Sequence, residues 1–471
     1  MSELLDLFDR VEPARPAVLF EDAALDHGAF AALAETWARR LAGMGIARGD
    51  RVALLALNRP DYPALVFACA RLGAVLVPMN WRLAAGEHAY ILEDSGAKLL
   101  LVERELAGPR APRVAVLDAS PWPEAAYARA DDDAAPVLIV YTSGTTGRPK
   151  GAVLDQAALV ANARNSWAMH DMRATDRVLT VLPMFHVGGL NIQTLPALLC
   201  GAQVVVHRRF DAGATLRAIA REKPTLTLLV PATIQALRAH PDWEAADLSC
   251  LRAVGTGSSI VPIDLIRAIH ARGVPVLNVY GSTETSPIAS FTTPADARRK
   301  EGSVGRAAPS CEVRIVDGEI QVRGPNVTKA YWNAPDATKA AFDGDWFKTG
   351  DMGHWDADGY LWVDERKNDM IISGGENVYP AEVEAVLTAL PGIAESAVVA
   401  RPDPKWGEVP VAFVVLAPGA VFAKPDLDGA LARFKHPKAY FVVDRLPRNA
   451  MGKIVRYELR AQARQRGEQA Q

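Results

Sequence analysis

From residue 30 onward, stretches with apolar residues at helical spacing alternate with short apolar, β-branched runs at 51–57, 74–78, 98–102, 137–141, 203–206, 226–230 and 275–280. That alternation predicts an α/β fold with largely parallel sheets. The Pro- and Ala-rich stretch 108–123 and the acidic run 131–133 read as loops. After Thr292 the texture changes, and Gly-punctuated short runs at 311–316, 319–323 and 360–363 predict a small β-rich subdomain. From about Asp369 a final unit follows with helix, strand, strand, helix and strand-like segments. The expected organisation is a large N-terminal domain of layered α/β subdomains, 1–367, with the β-rich subdomain at about 293–367. A small α+β C-terminal domain, 368–471, completes it. No internal repeat or low-complexity tract interrupts this reading.

Composition narrows the class. At roughly 150 residues per domain, 471 residues suggest about three folding units. With 49% hydrophobic and 23% charged residues the chain can bury a sizeable core, which excludes disorder as the dominant state. The 52 basic and 55 acidic side chains nearly cancel, so no global field would attract nucleic acid or an anionic membrane. Locally the balance differs: from Arg433 onward ten Lys or Arg stand against three Asp or Glu, net +7, leaving −10 for the preceding residues. The four cysteines lie at least 50 residues apart, without C-x-x-C pairs or histidines at metal-ligand spacing, which predicts a reduced, cytoplasmic protein. No basic segment followed by an apolar run opens the chain, and the most apolar window, 63–79, is broken by Arg71. Neither an export signal nor a transmembrane segment is therefore expected.

The strongest chemical signal is Tyr141-Thr-Ser-Gly-Thr-Thr-Gly-Arg-Pro-Lys-Gly151, after an apolar strand and before a helical stretch. Such a loop offers backbone N–H groups and hydroxyls to a polyphosphate, and Lys150 adds charge. It is not a Walker A loop, because Pro149 separates Gly147 from Lys150 and no Ser or Thr follows the lysine. A second segment, Asn278-Val-Tyr-Gly-Ser-Thr-Glu-Thr285, places an aromatic, a hydroxyl and a carboxylate at a strand end. There Tyr280 could stack on a base, Thr283 bond a phosphate and Glu284 ligate Mg²⁺. A third cluster joins Thr349-Gly-Asp351 to Arg366 and Asn368-Asp-Met-Ile-Ile-Ser-Gly-Gly-Glu-Asn-Val-Tyr-Pro380, and a fourth is Pro447-Arg-Asn-Ala-Met-Gly-Lys-Ile454.

Taken together and in this order, these segments resemble the adenylate-forming superfamily of acyl-CoA synthetases, peptide-synthetase adenylation domains and luciferases, over nearly the whole chain. The resemblance implies that Thr142, Ser143, Gly144, Thr145 and Thr146 hold the ATP phosphates with Lys150 nearby. It implies an adenine-binding turn at Gly257-Ser258-Ser259, with Ser258-Ser259-Ile260 standing where Gly-Ala-Pro is common. Tyr280 would stack on adenine, Thr283 contact the α-phosphate, Glu284 bind Mg²⁺, and Asp351 hold the ribose with help from Arg366. Lys453 would bridge the attacking carboxylate and the α-phosphate, an electrostatic task suited to a compact ammonium. Asn368 falls at the family's hinge, where Asp or Lys is usual, and would make the C-terminal domain mobile.

On the thiol side, Ser373-Gly374-Gly375 resembles the loop lining the pantetheine tunnel. The segments holding Trp406, Phe434, His436 and Lys438 resemble those that meet CoA, although the spacing between Ala417 and Phe434 is shorter than usual. The stretch Leu182-Pro-Met-Phe-His-Val-Gly-Gly-Leu-Asn191 resembles the family's acyl-side segment, with His186 as the gate. Met184, Val187, Gly188, Val230, Pro231, Gly257, Gly281 and Ile288 would line the pocket. That lining favours a monocarboxylic aliphatic or aromatic acid, and general similarity leans to a fatty acid.

The implied activity is ATP-dependent acyl-CoA synthesis through an acyl-adenylate, with ATP, Mg²⁺, coenzyme A and a small carboxylic acid as partners. No nucleic acid is involved, and a homodimer is a candidate assembly. An aryl-CoA ligase, an adenylation enzyme loading a carrier protein, a luciferase-like oxygenase and a catalytically silent nucleotide binder are the alternatives. A P-loop kinase would release ADP instead of AMP.

Overall fold

A computed structural model describes residues 2–106, 111, 113–119, 121–142, 148–257, 261–366, 370–447 and 454–468. They form two units. The first comprises the described residues within Met1–Trp81, Leu92–Tyr141 and Gly151–Glu365, the second those within Arg82–Ile91, Thr142–Lys150 and Arg366–Gln471.

The first unit holds a nine-stranded sheet in the order Arg306–Ala307, Ser290–Phe291, Val276–Tyr280, Ala253–Thr256, Leu226–Leu229, Arg177–Thr180, Gln203–Val206, Pro16–Phe20, Ala23–Asp26. Its six central strands are parallel and its edges antiparallel. A six-stranded sheet runs Val114–Val116, Leu99–Val102, Arg51–Leu55, Val75–Pro78, Pro136–Thr142, Lys150–Asp155. Its first five strands pair in parallel. The seven runs read from apolar patterning are all strands here. The stretch 108–123, expected to be loop, contributes the edge strand Val114–Val116, and its half-exposed side chains leave little apolar signal.

Helix Asp61–Leu72 shows why the 63–79 window is no membrane span. Eleven of its twelve residues are buried, Gly73 ends it in the left-handed region (φ +65°), and the strand Val75–Pro78 follows at once. Arg71 is buried with Asp9 at 2.6 Å. Among the described residues no helix is long and apolar enough to cross a membrane. One apolar core joins Leu54, Leu76 and Leu101 of the six-stranded sheet to Val178, Val204 and Leu277 of the other. A smaller five-stranded sheet, built on Glu312–Val316, Glu319–Arg323, Phe342–Asp343, Trp346–Trp355 and Leu361–Arg366, forms the β-rich part.

The second unit carries a five-stranded sheet: Glu376–Val378, Ile371–Ser373, Gly407–Leu416 and Ile393–Asp403, with Tyr440–Val442 parallel to Gly407–Leu416. Helices Pro380–Thr388 and Arg456–Glu468 pack on Ile393–Asp403. The second helix expected between the long strands and Tyr440 is only a short turn, Arg433–Lys435. Pro418, Gly419, Pro425 and Gly429 break the intervening stretch.

Within this unit Lys435 is buried between two carboxylates, 2.5 Å from Glu87 and 2.7 Å from Glu382. Burial opposes its charge, but the two carboxylates outweigh burial and hold the ammonium above its ordinary value. Burial also raises the Glu382 carboxyl, helped by the like charge of Glu87 and opposed by Lys435. The other Glu382 oxygen has no hydrogen-bond partner among the described residues. We expect Lys435→Met to destabilise the protein by about 3–5 kcal/mol near pH 8, because two buried carboxylates lose their cation. The deficit should shrink toward pH 5.5, where protonation relieves their repulsion. Thermal melts of both proteins at the two pH values check this; an equal deficit at both would contradict it.

Candidate active site

The parallel strand Val276–Tyr280 is fully buried and apolar apart from Asn278, and the chain leaves its carboxyl end at Gly281. A Cβ at Gly281 would stand 1.9 Å from the Pro287 carbonyl oxygen, so only glycine allows this reversal. Ser282 then caps a single turn, Thr283–Thr285, its N–H donating to Thr285 Oγ1 at 3.0 Å. The returning chain is fixed where Ala289 N–H donates to the Tyr280 carbonyl. Asn326 Nδ2 donates to the carbonyls of Thr285 and Ile288.

Two side-chain pairs define the polar face of this turn. Tyr280 Oη donates to Asp351 Oδ2 at 2.9 Å, and Tyr331 Oη donates to Glu284 Oε1 at 2.7 Å. Asp351 follows Gly350 in the strand Trp346–Trp355, where Thr349 Oγ1 accepts from the Asp351 N–H. Glu319 Oε1 accepts from the Gly350 N–H. The segment carrying Tyr331 is tied to the strand Lys150–Asp155: Trp332 N–H donates to the Gly151 carbonyl, and Val153 N–H donates to that of Ala330. The backbone of Glu284 accepts from Thr328 N–H at 2.7 Å. A carboxylate so held has the donor chemistry that Mg²⁺ takes when it keeps several waters and the substrate's phosphates. No cluster of three potential metal ligands occurs among the described residues, so such an ion would need phosphate oxygens to complete its shell.

Beside this face lies the apolar segment. His186 caps a short helix, Val187–Gly189, through Nδ1, which accepts the Gly188 N–H at 3.0 Å. A π-helical turn, Leu190–Thr194, follows. Met184, Val187, Val230 and Ile288 lie in one buried cluster together with Leu190 and Ile192. Gly257 has no room for a side chain against the Val279 carbonyl, 2.5 Å from its ideal Cβ.

The second unit presents Gly374 and Gly375 in consecutive left-handed conformations, at φ +62° and +87°. The exposed Trp406 ring packs on Gly374, where an added Cβ would come within 2.8 Å, and Lys405 Nζ stands 4.7 Å over that ring. Phe434 packs on that unit's core, His436 Nε2 donates to the Leu431 carbonyl, and Lys438 is exposed. Part of the basic C-terminal charge is internal: Lys435 meets Glu87 and Glu382, Arg456 meets Glu384, and Arg433 meets Asp428.

Thr142 ends the strand Pro136–Thr142, Lys150 begins the neighbouring one, and Arg366 ends Leu361–Arg366. Ser143, Gly144, Thr145, Thr146, Ser258, Ser259, Asn368 and Lys453 lie outside the described residues. Sequence reasoning did not find Tyr331, whose signal would have required knowing that 328–332 runs beside Gly151. It also passed over the buried amides of Asn191 and Gln193.

The chain matches the AMP-binding enzyme family over residues 7–332 and that family's C-terminal domain over 382–453. The chain belongs to the AMP-binding enzyme family. This AMP-binding enzyme is 49% identical to the indoleacetate–CoA ligase of Aromatoleum aromaticum, across 98% of this chain and 97% of that one. It is 37% identical to the long-chain-fatty-acid–CoA ligase FadD13 of Mycobacterium tuberculosis, across 94% and 93%. Among solved structures, a double mutant of the Bacillus subtilis o-succinylbenzoate CoA synthetase bound to a product analogue superposes with a TM-score of 0.88. It is 35% identical and covers 98% of both chains. This AMP-binding enzyme is an acid–thiol ligase.

The Gly281 reversal generates a direct expectation. Gly281→Ala should destabilise the protein by about 3 kcal/mol and abolish acid-dependent AMP formation, because the methyl group collides with backbone. Circular-dichroism melts and product assays measure both; an unchanged melting temperature would show that the reversal tolerates a side chain.

Proposed function

We propose that this ligase activates an aromatic monocarboxylic acid with Mg·ATP and passes the acyl group to coenzyme A. The observation that carries the reading is the joining of Tyr280 to Asp351 and of Glu284 to Tyr331 at one strand end, which the main apolar core backs. The similarity to an indoleacetate–CoA ligase at 49%, against 37% for a fatty-acid ligase, favours an aromatic acid over the fatty acid expected from sequence.

In this reading the Tyr280 ring supports adenine while its hydroxyl orients Asp351 toward the ribose. Thr283 bonds the α-phosphate, and the loop Thr142–Thr146 with Lys150 cradles the outer phosphates. Glu284, oriented by Tyr331, would hold Mg²⁺, whose chemistry is to neutralise phosphate charge. A carboxylate oxygen of the acid attacks the α-phosphorus, and the bond to pyrophosphate breaks in line. Lys453 offsets the charge where two anions meet, so positioning and electrostatics lower the barrier without a protein nucleophile. The CoA sulfur then attacks the acyl carbonyl, and AMP leaves with the bonding electrons. Gly374, Gly375, Trp406, Phe434, His436 and Lys438 serve this second step, and Asn368 is the pivot of the C-terminal domain between the two.

Nucleotide products decide the matter. With indole-3-acetate, benzoate, octanoate and palmitate, each with and without CoA, we expect AMP and pyrophosphate with aromatic acids, and a thioester when CoA is present. Lys453→Ala should slow adenylation by about 10²–10³-fold, while Gly375→Leu slows thioester formation alone. ADP as product would refute the ligase reading, and adenylate formation indifferent to CoA would point to a carrier-protein thiol.

A further inference from the structure

Behind the turn at Gly281 the apolar core contains polar side chains that find no hydrogen-bond partner among the described residues. Asn191, 1% exposed on the π-helical turn Leu190–Thr194, has neither amide atom hydrogen-bonded among the described residues. Gln193, 2% exposed on the same turn, leaves Oε1 unpartnered, and so does Thr256 with Oγ1 at the end of its strand. A carboxamide can make about four hydrogen bonds, and each buried group left without one costs about 1–3 kcal/mol. Such groups persist where a ligand or an ordered water completes them.

Hydrogen bonds tie Asn191 to the chain that returns from the Gly281 turn. The Asn191 carbonyl accepts from Asn162 Nδ2, and Asn162 Oδ1 accepts from the N–H of Ile288, so Asn191 is two hydrogen bonds from the chain returning from the Gly281 turn. Its neighbours in the turn, Leu190 and Ile192, belong to the main apolar core, to which Met184, Val187, Val230 and Ile288 also contribute. Gln193 is oriented by His170: the His170 Nδ1–H donates to the Ser166 carbonyl at 2.9 Å, so Nε2 accepts from the Gln193 amide at 3.0 Å. Gly255 leaves space where that amide approaches, 3.5 Å from its ideal Cβ.

We propose that the Asn191 carboxamide determines specificity by hydrogen-bonding a ring N–H or O–H of the aromatic acid. The wall is then selective for polar-substituted bicyclic or phenolic acids over plain hydrocarbons of the same shape. This rests on the ligase reading above. Asn191 acts on the distal end of the acid and takes no part in the chemistry.

The test compares indole-3-acetate with benzothiophene-3-acetate, a near-isostere lacking the N–H, in the wild type and in Asn191→Leu. We expect the wild type to favour indole-3-acetate in kcat/KM by about tenfold or more, because binding the analogue leaves the buried amide unpaired. Asn191→Leu should bring the ratio within about threefold, through a higher KM for indole-3-acetate with kcat nearly kept. Equal turnover of the two acids by the wild type overturns the proposal without needing the variant, and so does a ratio that Asn191→Leu leaves unchanged. AMP formation with some acid but no N–H preference refutes this inference alone, whereas no AMP with any acid refutes the ligase reading beneath it.

Discussion

The contact between Gly281 and the Pro287 carbonyl fixes the geometry on which the rest of the candidate site depends. A strand that ended with any side chain there would have to swing the following turn outward by ångströms. Thr283 and Glu284 would then leave the neighbourhood of Tyr331, and Tyr280 would lose its register with Asp351. The parallel sheet supplies the strand end, as expected for α/β folds that bind ligands beyond the carboxyl ends of their strands. The absence of a Cβ lets the chain turn back tightly enough to use it.

Around that reversal the structure separates two environments. On one face tyrosine hydroxyls orient carboxylates, so charge is positioned before any ligand arrives and little reorganisation is left for the reaction. On the other, the segment from Val187 to Gln193 is apolar apart from the buried amides of Asn191 and Gln193. His170 illustrates the dryness of that side: burial, the main effect, pushes its imidazole down to about 4, which keeps the ring neutral and able to accept from Gln193. A wall of this kind binds an acid by apolar area and discriminates by the few hydrogen bonds it leaves open.

Much of this was legible in the sequence because the relevant signals are local. Runs such as 51–57 and 226–230 are buried on both faces of parallel sheets, so patterning alone located them. Tyr280, Thr283 and Glu284 stood out because an aromatic, a hydroxyl and a carboxylate stand at the end of one strand, whereas Asp351 was named from the family resemblance. The strand Ala253–Thr256 gave no such signal, since Gly255 and Thr256 dilute its apolar character, and Val114–Val116 lies at an exposed edge. Tyr331, Asn191 and Gln193 were not read because their importance comes from what lies across the fold from them. Lys435 was passed over in favour of His436 and Lys438, because sequence does not reveal that Glu87 lies against it, 348 residues away.

The central claim is that the chain reversal at Gly281 and the Tyr280–Asp351 pair form the nucleotide site. Hydrogen–deuterium exchange with and without saturating AMP tests it most directly, and does so without reference to the acid. The account predicts slowed exchange in peptides covering 278–286 and 349–352. Protection elsewhere in the chain, with none in these two segments, would contradict it.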